Sequence, residues 1–357
     1  MKKTSYILIL ILFLTGCNKS LHQAQLYVFG TLVGITVWGV SEREANETFD
    51  IISKDLQSMH NQWHSWHKSP LNELNQSIAK GQTYTVSDDS LLSILIAAKE
   101  LSLKSDGLFN PAIGQLIKLW GFHEDELKQD RLPPSKEKIF QLLALAPTMN
   151  DLNIQDNKIS SNNPALQLDF GAFAKGYAVD ILIKKMRELG IKNAIINLGG
   201  DLKAIGKKGK QNWFVGIRHP SGTGVLAAVV VNDGETVMTS GNYERYYKNK
   251  GKHYSHIIDP RNGKPATDFT SVTVIDTNGA LADAAATALT VAGKQDWHRI
   301  ATEMGVKYVM LVDEAGTVYF TPAMAKRVQF QPNKLPKIVI SNLSGLILGT
   351  DHLHFRF

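Results

Sequence analysis

The chain contains a single cysteine, Cys17, among its 357 residues. An intramolecular disulfide needs two cysteines, so no such bond can stabilise the fold. The sequence also lacks an apolar run of roughly 20 residues, the length that crosses a bilayer as a helix. The apolar run at residues 6–14 is too short for this purpose. A membrane-spanning helix is therefore not predicted.

A strong charge of one sign is also lacking, since the formal net charge is +6. Nucleic-acid binding would need lysines and arginines clustered on one face, so we expect no nucleic-acid partner. The basic residues concentrate in residues 207–210 and 245–252, which we interpret as solvated turns or, less simply, as binding surfaces. Gly199-Gly200 has no third glycine and no following helix, which excludes a dinucleotide fingerprint.

The first 17 residues are typical of an export signal. Lys2 and Lys3 precede the apolar run, which ends in Leu14-Thr15-Gly16-Cys17. This order resembles a bacterial lipoprotein signal, with residues 1–16 removed and Cys17 lipidated; a plain signal peptide is the alternative. The resemblance implies a periplasm-facing protein that is anchored to a membrane by lipid. Asn18 slightly favours the outer membrane over the inner membrane.

The rest of the chain mixes helical and strand patterns without strict βαβ alternation. This mixture predicts an α+β fold with mixed or antiparallel sheets and packed helices. We predict a lipidated tether at 17–26, a catalytic domain at 27–330 and a C-terminal appendage at 331–357. Among the elements we expect one bent strand at Tyr27–Val40, a strand at Leu166–Phe170, and a helix at Ala282–Val291 that Gly293 closes.

Asp283 and Thr287 lie four residues apart in an alanine-rich helical segment, hence on one helix face. A carboxylate near a helix start can simply favour the helix dipole. The pair can also contribute oxygen ligands to Mg²⁺, which binds one or two carboxylates together with carbonyls, waters and phosphates. Spacing alone leaves both interpretations open.

The segment Asp169–Ala178 reads as a turn that leads into a helix, with Lys175 in the first helical turn. A cation there opposes the helix dipole unless an anion such as phosphate lies at the helix N-terminus. A solvated lysine is the simpler alternative.

His256 lies in a short apolar stretch just before a turn. A single histidine is more often structural than catalytic. Histidine is nevertheless the side chain best suited to move a proton near neutral pH, so His256 is a candidate general base.

Several short blocks resemble the ApbE family of FAD:protein FMN transferases, in the family's order, from about Phe29 to Thr321. No single block is specific for the family, but the occurrence of all the blocks in the family's order is highly specific. The blocks are Phe29-Gly-Thr31, Phe109-Asn110-Pro111 with Leu119-Trp-Gly-Phe122, Asp169–Ala178, Asn197-Leu-Gly-Gly-Asp201, Thr239-Ser-Gly241, His256-Ile-Ile-Asp-Pro260 and Ala282–Leu289.

The resemblance implies an ApbE-like (T-fold-like) architecture and an enzyme that cleaves FAD, transfers FMN to a threonine or serine hydroxyl as a phosphoester and releases AMP. Mg²⁺ would be bound by the Ala172 carbonyl, Asp283 and Thr287. His256 or Asp283 would be the catalytic base. FAD would be contacted by Phe29, Trp66, Asn110, Pro111, Ala112, Asp169, Lys175 and His256.

The chain departs from the family pattern at two positions, where Asn110 replaces an Asp and Asn262 replaces a Thr. The expected partners are acceptor flavoprotein subunits of membrane electron-transfer complexes. Two alternatives remain open. One is hydrolysis of FAD to FMN and AMP, and the other is a lipoprotein that binds FAD without turnover.

Overall fold

A computed structural model describes residues 20–221, 223–330, 335–341 and 347–348. Cys17, the signal segment and most of the predicted appendage lie outside the described residues. Within the described residues, no helix combines the length and apolar character that a bilayer crossing requires.

In the part of the chain that the structure describes, the strands form one large sheet and four small ones. The large sheet has ten strands in the order β1-β2-β6-β7-β10-β15-β16-β17-β19-β20, and all neighbours are antiparallel except β17 and β19. The strands are β1 Ser20–Val28, β2 Thr31–Val40, β3 Tyr84–Thr85, β4 Leu152–Gln155, β5 Lys158–Ser161, β6 Ala194–Leu198, β7 Asp201–Ile205, β8 Trp213–Arg218, β9 Val225–Val231, β10 Thr236–Gly241, β11 Tyr246–Asn249, β12 Lys252–Ser255, β13 Ile258–Asp259, β14 Lys264–Pro265, β15 Phe269–Asp276, β16 Tyr308–Asp313, β17 Val318–Phe320, β18 Val328–Phe330, β19 Ile338–Ser341 and β20 Ile347–Leu348.

The helices begin at polar caps in most cases, and Ser41 with Glu44 forms a capping box at the first of them. The helices are α1 Glu42–Trp63, α2 Pro70–Ala79, α3 Asp89–Lys104, α4 Gly114–Trp120, α5 Lys136–Ala144, α6 Ala174–Glu188, α7 Gly279–Met304 and α8 Pro322–Ala325. The predicted α+β class with mixed sheets is confirmed.

Both faces of the large sheet pack against a hydrophobic core. Successive side chains of a strand point to opposite faces, so one strand contributes residues to both cores. Val272 and Val274 of β15 join the core that contains α1, α3, α6 and α7. Ile275 of the same strand joins the second core, which lies under the small sheet β18-β9-β8. The strand order of the large sheet and its helical layer bring α6 and α7 together, and this contact positions the candidate site.

Two local predictions are wrong. The segment Tyr27–Val40 is the end of β1 and all of β2, joined by a tight turn at Phe29-Gly30, so the predicted tether already includes seven residues of β1, Ser20–Leu26. Leu166–Phe170 forms only one isolated bridge, between Gln167 and Ile113. The prediction that Gly293 closes the helix is confirmed, since its φ of 70° and ψ of −174° are not helical; a second helical segment of α7 follows this break and continues to Met304.

Part of the predicted appendage belongs to the large sheet. Strand β19 pairs in parallel with β17, and Ile340 is buried in the second core. The sequence of this short apolar segment did not indicate a strand. The segment pairs with β17 only in the folded protein, and a local pattern does not encode such a pairing. The domain boundary at 330 itself stays a prediction.

Candidate active site

The site is built where α6 and α7 touch, and glycine is what allows the approach. A Cβ atom on Gly176 would lie 2.2 Å from the Gly279 carbonyl oxygen and 2.6 Å from the Asp283 Cβ. Such distances are excluded for any larger residue. The backbone of the motif Asp169–Ala178 is therefore in direct contact with the Asp283 side chain of the motif Ala282–Leu289.

The two helices also cap each other. Asp283 of α7 accepts a hydrogen bond of 2.8 Å from the Gly176 N–H in the first turn of α6. In return, Asp180 of α6 accepts from the Gly279 N–H at 2.8 Å, at the start of α7. A carboxylate at a helix N-terminus is favoured by unpaired N–H groups and by the helix dipole. The helix contact thus fixes the position of both carboxylates.

The predicted metal ligands meet at this contact. The Thr287 hydroxyl donates to the Ala172 carbonyl oxygen over 3.3 Å and lies 3.1 Å from the Ser240 hydroxyl. Asp283 lies one helical turn before Thr287 on the same face of α7. The structure therefore brings together the Ala172 carbonyl, Asp283 and Thr287, as the resemblance implied.

The chemistry of this set fits Mg²⁺. All of its donors are oxygens, the ligand type that Mg²⁺ prefers. Asp283 is buried, and burial together with the neighbouring Asp201 raises the pKa of its carboxyl group. A divalent cation would remove the cost of that buried negative charge.

Lys175 is neither a solvated lysine nor unpartnered. Its ammonium group forms an ion pair with the buried Asp201. The other carboxylate oxygen of Asp201 accepts from the Thr239 N–H at 2.9 Å. Burial acts to lower the pKa of Lys175, but Asp201 and Asp283 outweigh it and the pKa is raised. Lys175 is therefore held as a cation at the N-terminus of α6.

A second part of the site surrounds Asp169. The Trp66 indole N–H donates to one Asp169 oxygen at 2.8 Å, and the Gly171 N–H donates to the other at 2.8 Å. Burial raises the pKa of the Asp169 carboxyl group, and these two hydrogen bonds oppose the shift. The Asp169 N–H donates to the Pro111 carbonyl at 2.8 Å, so the two predicted FAD-binding segments lie side by side.

Asn110 has an internal role in its loop. Its amide nitrogen donates to the Pro147 carbonyl at 3.0 Å, and its carbonyl oxygen accepts from the Ala112 N–H at 3.0 Å. The second bond is an Asx-type turn that an aspartate could also form. The first needs an amide donor, which explains how asparagine is accommodated at this position.

Phe29 lies at the turn between β1 and β2. Its ring packs edge-on against His60 at 5.6 Å and lies 6.2 Å from Trp63. Trp63 in turn contacts Tyr177 of α6 at 5.7 Å between ring centroids. Phe29 therefore reaches the site through two intervening aromatic side chains rather than by a contact with the other predicted residues.

His256 follows β12 and is half-buried. Its Nδ1 lies 3.1 Å from the Arg245 carbonyl oxygen, which can only accept, so Nδ1 carries the proton. The neutral ring then has its lone pair on Nε2. Burial, with the charges of Arg245 and Lys175, lowers the pKa of His256 to about 4. The effect of Lys175 indicates that both groups share one electrostatic environment.

Sequence reasoning assigned no role to Asp201 or Glu244. Asp201 is the last residue of the block Asn197-Leu-Gly-Gly-Asp201, which carried no role of its own, and it lies at the start of β7. Burial raises the pKa of Glu244, while Lys175 opposes the shift and Asp201 adds to it. The charges of Asp201, Asp283 and Glu244 all raise the pKa of Lys175, a combination that only the folded chain reveals.

The sequence profile of the ApbE family matches residues 29–310. A Rhodobacter capsulatus protein named FAD:protein FMN transferase is 43% identical over 85% of this chain, which spans 57% of the length of that relative. A Vibrio cholerae protein of the same name is 29% identical over 85% of this chain and 91% of its own length. The crystal structure of the ApbE protein from Thermotoga maritima aligns with a TM-score of 0.76 at 30% identity, covering 84% of this chain and 96% of that one.

Proposed function

Because the chain belongs to the ApbE family, we propose that it transfers FMN from FAD to a threonine or serine hydroxyl of a target protein and releases AMP. The observation that carries this proposal is the meeting of the Ala172, Asp283 and Thr287 oxygens beside Lys175, at the contact of α6 and α7. This arrangement suits a ligand with a pyrophosphate group.

The metal would be Mg²⁺, bound by the Ala172 carbonyl, Asp283 and Thr287. When bound, it would act on the FAD pyrophosphate as a Lewis acid and as a template. The oxygen-only donor set and the raised pKa of Asp283 support this assignment.

Lys175 would offset the negative charge that develops on the phosphates during transfer. Its ion pair with Asp201 limits the motion of the ammonium group, and its raised pKa keeps the group charged at neutral pH. Preorganised charge of this kind needs no rearrangement when the reaction occurs.

His256 is the proposed general base. The Nε2 lone pair would accept the proton of the acceptor hydroxyl while the hydroxyl oxygen bonds to the phosphorus of the FMN half. The bond from that phosphorus to the bridging oxygen breaks, and the electron pair leaves with AMP. The lowered pKa keeps His256 neutral at neutral pH, as a base requires. Asp283 is the alternative base.

The flavin or adenine ring would contact Trp66, whose indole is fixed by Asp169. Phe29 and the segment Asn110–Ala112 would complete the FAD contacts. The phosphates would then lie between this aromatic region and the N-terminus of α6.

We also propose that Cys17 is lipidated and that the enzyme faces the periplasm, on the outer membrane in preference to the inner membrane. The order of basic residues, apolar run and cysteine supports this proposal. Acceptors would be exported flavoprotein subunits of membrane electron-transfer complexes.

The test is to incubate the protein with FAD, Mg²⁺ and a candidate acceptor domain. Transfer predicts an acceptor mass increase that matches FMN, with one AMP released for each acceptor modified. AMP without the mass increase would instead show FAD hydrolysis. Bound FAD with neither product would show a non-catalytic FAD-binding protein.

A further inference from the structure

One end of the large sheet carries a group of exposed lysines that the proposed reaction does not use. Lys207, Lys208 and Lys210 lie in the turn between β7 and β8, and Lys192 lies two residues before the start of β6. All four side chains are exposed. We call these four lysines the basic end.

The turn that holds three of them is well defined. The backbone groups of Lys208 and Gln211 bond to each other at 2.9 and 3.2 Å, which closes a short hairpin turn around Gly209. The Lys207 N–H donates to the Asn193 side-chain oxygen at 2.9 Å. The lysine side chains therefore project from a fixed backbone, next to the residue that follows Lys192.

The basic end lies beside the first described residues of the chain. The Trp38 ring is 3.5 Å from the Cβ position of Gly209, and the Trp38 N–H donates to the Asn193 carbonyl at 2.9 Å. Trp38 is paired with Leu21 across β1 and β2. Leu21 is itself an exposed apolar side chain.

Cys17 is only three residues before Ser20, where β1 begins. Three residues of extended chain span at most about 10 Å. A lipid on Cys17 would therefore hold the basic end within about one Debye length of the headgroups, where charges still interact strongly. Lysines in such a position attract anionic lipids.

We propose that the basic end docks on an anionic phospholipid surface. The distance argument of this inference rests on the lipid anchor of the proposed function. The attraction between the four lysines and anionic lipids does not depend on that anchor. An acidic residue, Asp233, contacts this turn, since it accepts from the Gly206 N–H at 2.7 Å. Asp233 also forms an ion pair with Arg187 at 3.2 Å, which offsets its charge. Docking would leave the candidate active site at the other end of the sheet.

The separation of the two ends follows from the strands. Phe29 and Gly30 form the far turn of the hairpin β1–β2, and Gly199 packs against Thr31 at that same end. Asp201, the partner of Lys175, begins β7 there. Because β1 has nine residues at about 3.3 Å each, the site would be presented roughly 30 Å from the bilayer.

The test uses the mature chain from residue 17 with Cys17→Ser, so that no acyl chain contributes to binding. Co-sedimentation measures the partition coefficient of the protein on two kinds of vesicle. One kind is pure phosphatidylcholine, and in the other about a third of the lipid is phosphatidylglycerol. We expect binding only to the anionic vesicles, with loss at high salt. The triple variant Lys207→Gln/Lys208→Gln/Lys210→Gln should bind roughly 100-fold more weakly, since each lysine contributes about fivefold.

The matched control is Lys248→Gln/Lys250→Gln/Lys252→Gln, which removes the same charge from the hairpin β11–β12. It should bind like the parent chain, and the triple arginine variant at 207, 208 and 210 should retain binding. Equal loss in the two glutamine variants, equal binding to both vesicle types, or no binding would overturn the proposal. FMN transfer in solution, measured on the same variants, reports the proposed function separately.

Discussion

At the residue scale, the buried carboxylate of Asp283 lowers the stability of the fold but is required by the proposed chemistry. This carboxylate is unfavourable in the metal-free protein, as the raised pKa shows. In the proposed site, the same carboxylate would be the only charged ligand for a divalent cation, beside the Ala172 carbonyl and the Thr287 hydroxyl. Substitutions at this position should therefore separate stability from activity.

We predict that Asp283→Asn abolishes FMN transfer and leaves the fold intact, because the amide oxygen can still accept from the Gly176 N–H. A raised pKa means that the folded protein holds the proton more tightly than the unfolded chain. In EDTA, the stability of the parent protein should thus fall as the pH rises from about 4, by up to about 1.4 kcal/mol per pH unit. Asp283→Asn has no carboxyl group to titrate at this position. In thermal melts at pH 8, the variant should therefore be more stable than the parent protein.

Asp313→Asn is the control at a second buried aspartate. Asp313 accepts from Lys294 at 2.8 Å and from the Thr317 N–H at 2.9 Å, in the region of β16 and β17. This substitution should lower thermal stability and leave the transfer rate of folded protein unchanged. The same pH slope in the parent and in Asp283→Asn would contradict the role given to Asp283.

The pH profile tests His256. If its Nε2 is the base, kcat/KM at saturating Mg²⁺ should decline on the acid side near pH 4, where burial places the His256 pKa, rather than near the ordinary histidine value of about 6.5. His256→Gln should lower kcat by about 10²- to 10⁴-fold, the usual contribution of a general base. An unchanged kcat in this variant would transfer the role of base to Asp283.

The residues of the site could be predicted from motifs, but their partners could not. Ala172, Asp283 and Thr287 are named correctly as neighbours by the family resemblance. The pairing of Lys175 with Asp201 joins residues 26 positions apart through α6 and β7, and no local pattern encodes it. Buried ion pairs of this kind depend on tertiary structure, which is why the sequence suggested only a phosphate or solvent for Lys175.

At the element scale, the contact of α6 and α7 is the feature on which the site depends. Each helix caps the other through a carboxylate, and Gly176 removes the side chain that would hold them apart. A small shift of either helix would move Asp283 away from the Ala172 carbonyl.

We predict that Gly176→Ala lowers both stability and transfer. The added methyl would overlap the Gly279 carbonyl, and overpacking of this kind costs about 1–3 kcal/mol. Denaturant unfolding and the AMP assay measure the two effects. Gly34→Ala in β2 is the matched control, since its Cβ would meet no atom within 4 Å, and it should leave both quantities near those of the parent.

The α+β class could be predicted because helical and strand patterns are mixed along the chain without strict βαβ alternation, and the elements of the structure confirm it. The turn at Phe29-Gly30 was missed because only the second residue is a glycine, while Phe29 adopts a left-handed φ of 55°. Strand β19 was missed because its four residues, three of them apolar, form a strand only by pairing with the edge of β17.

At the scale of the whole molecule, the large sheet separates two functions. One end holds the α6–α7 contact and the proposed FAD site, and the other holds the basic end next to the first residues of the chain. If the proposed lipid anchor is present, this arrangement would direct the site away from the bilayer and toward exported acceptor domains.

The central claim is that a divalent cation is bound by the Ala172 carbonyl, Asp283 and Thr287. The most direct measurement is anomalous scattering from crystals grown with Mn²⁺ in place of Mg²⁺. The account predicts a strong peak within about 2.2 Å of oxygens from all three residues, absent in Asp283→Asn crystals. A peak elsewhere with none at these oxygens, or an unchanged peak in the variant, would contradict it.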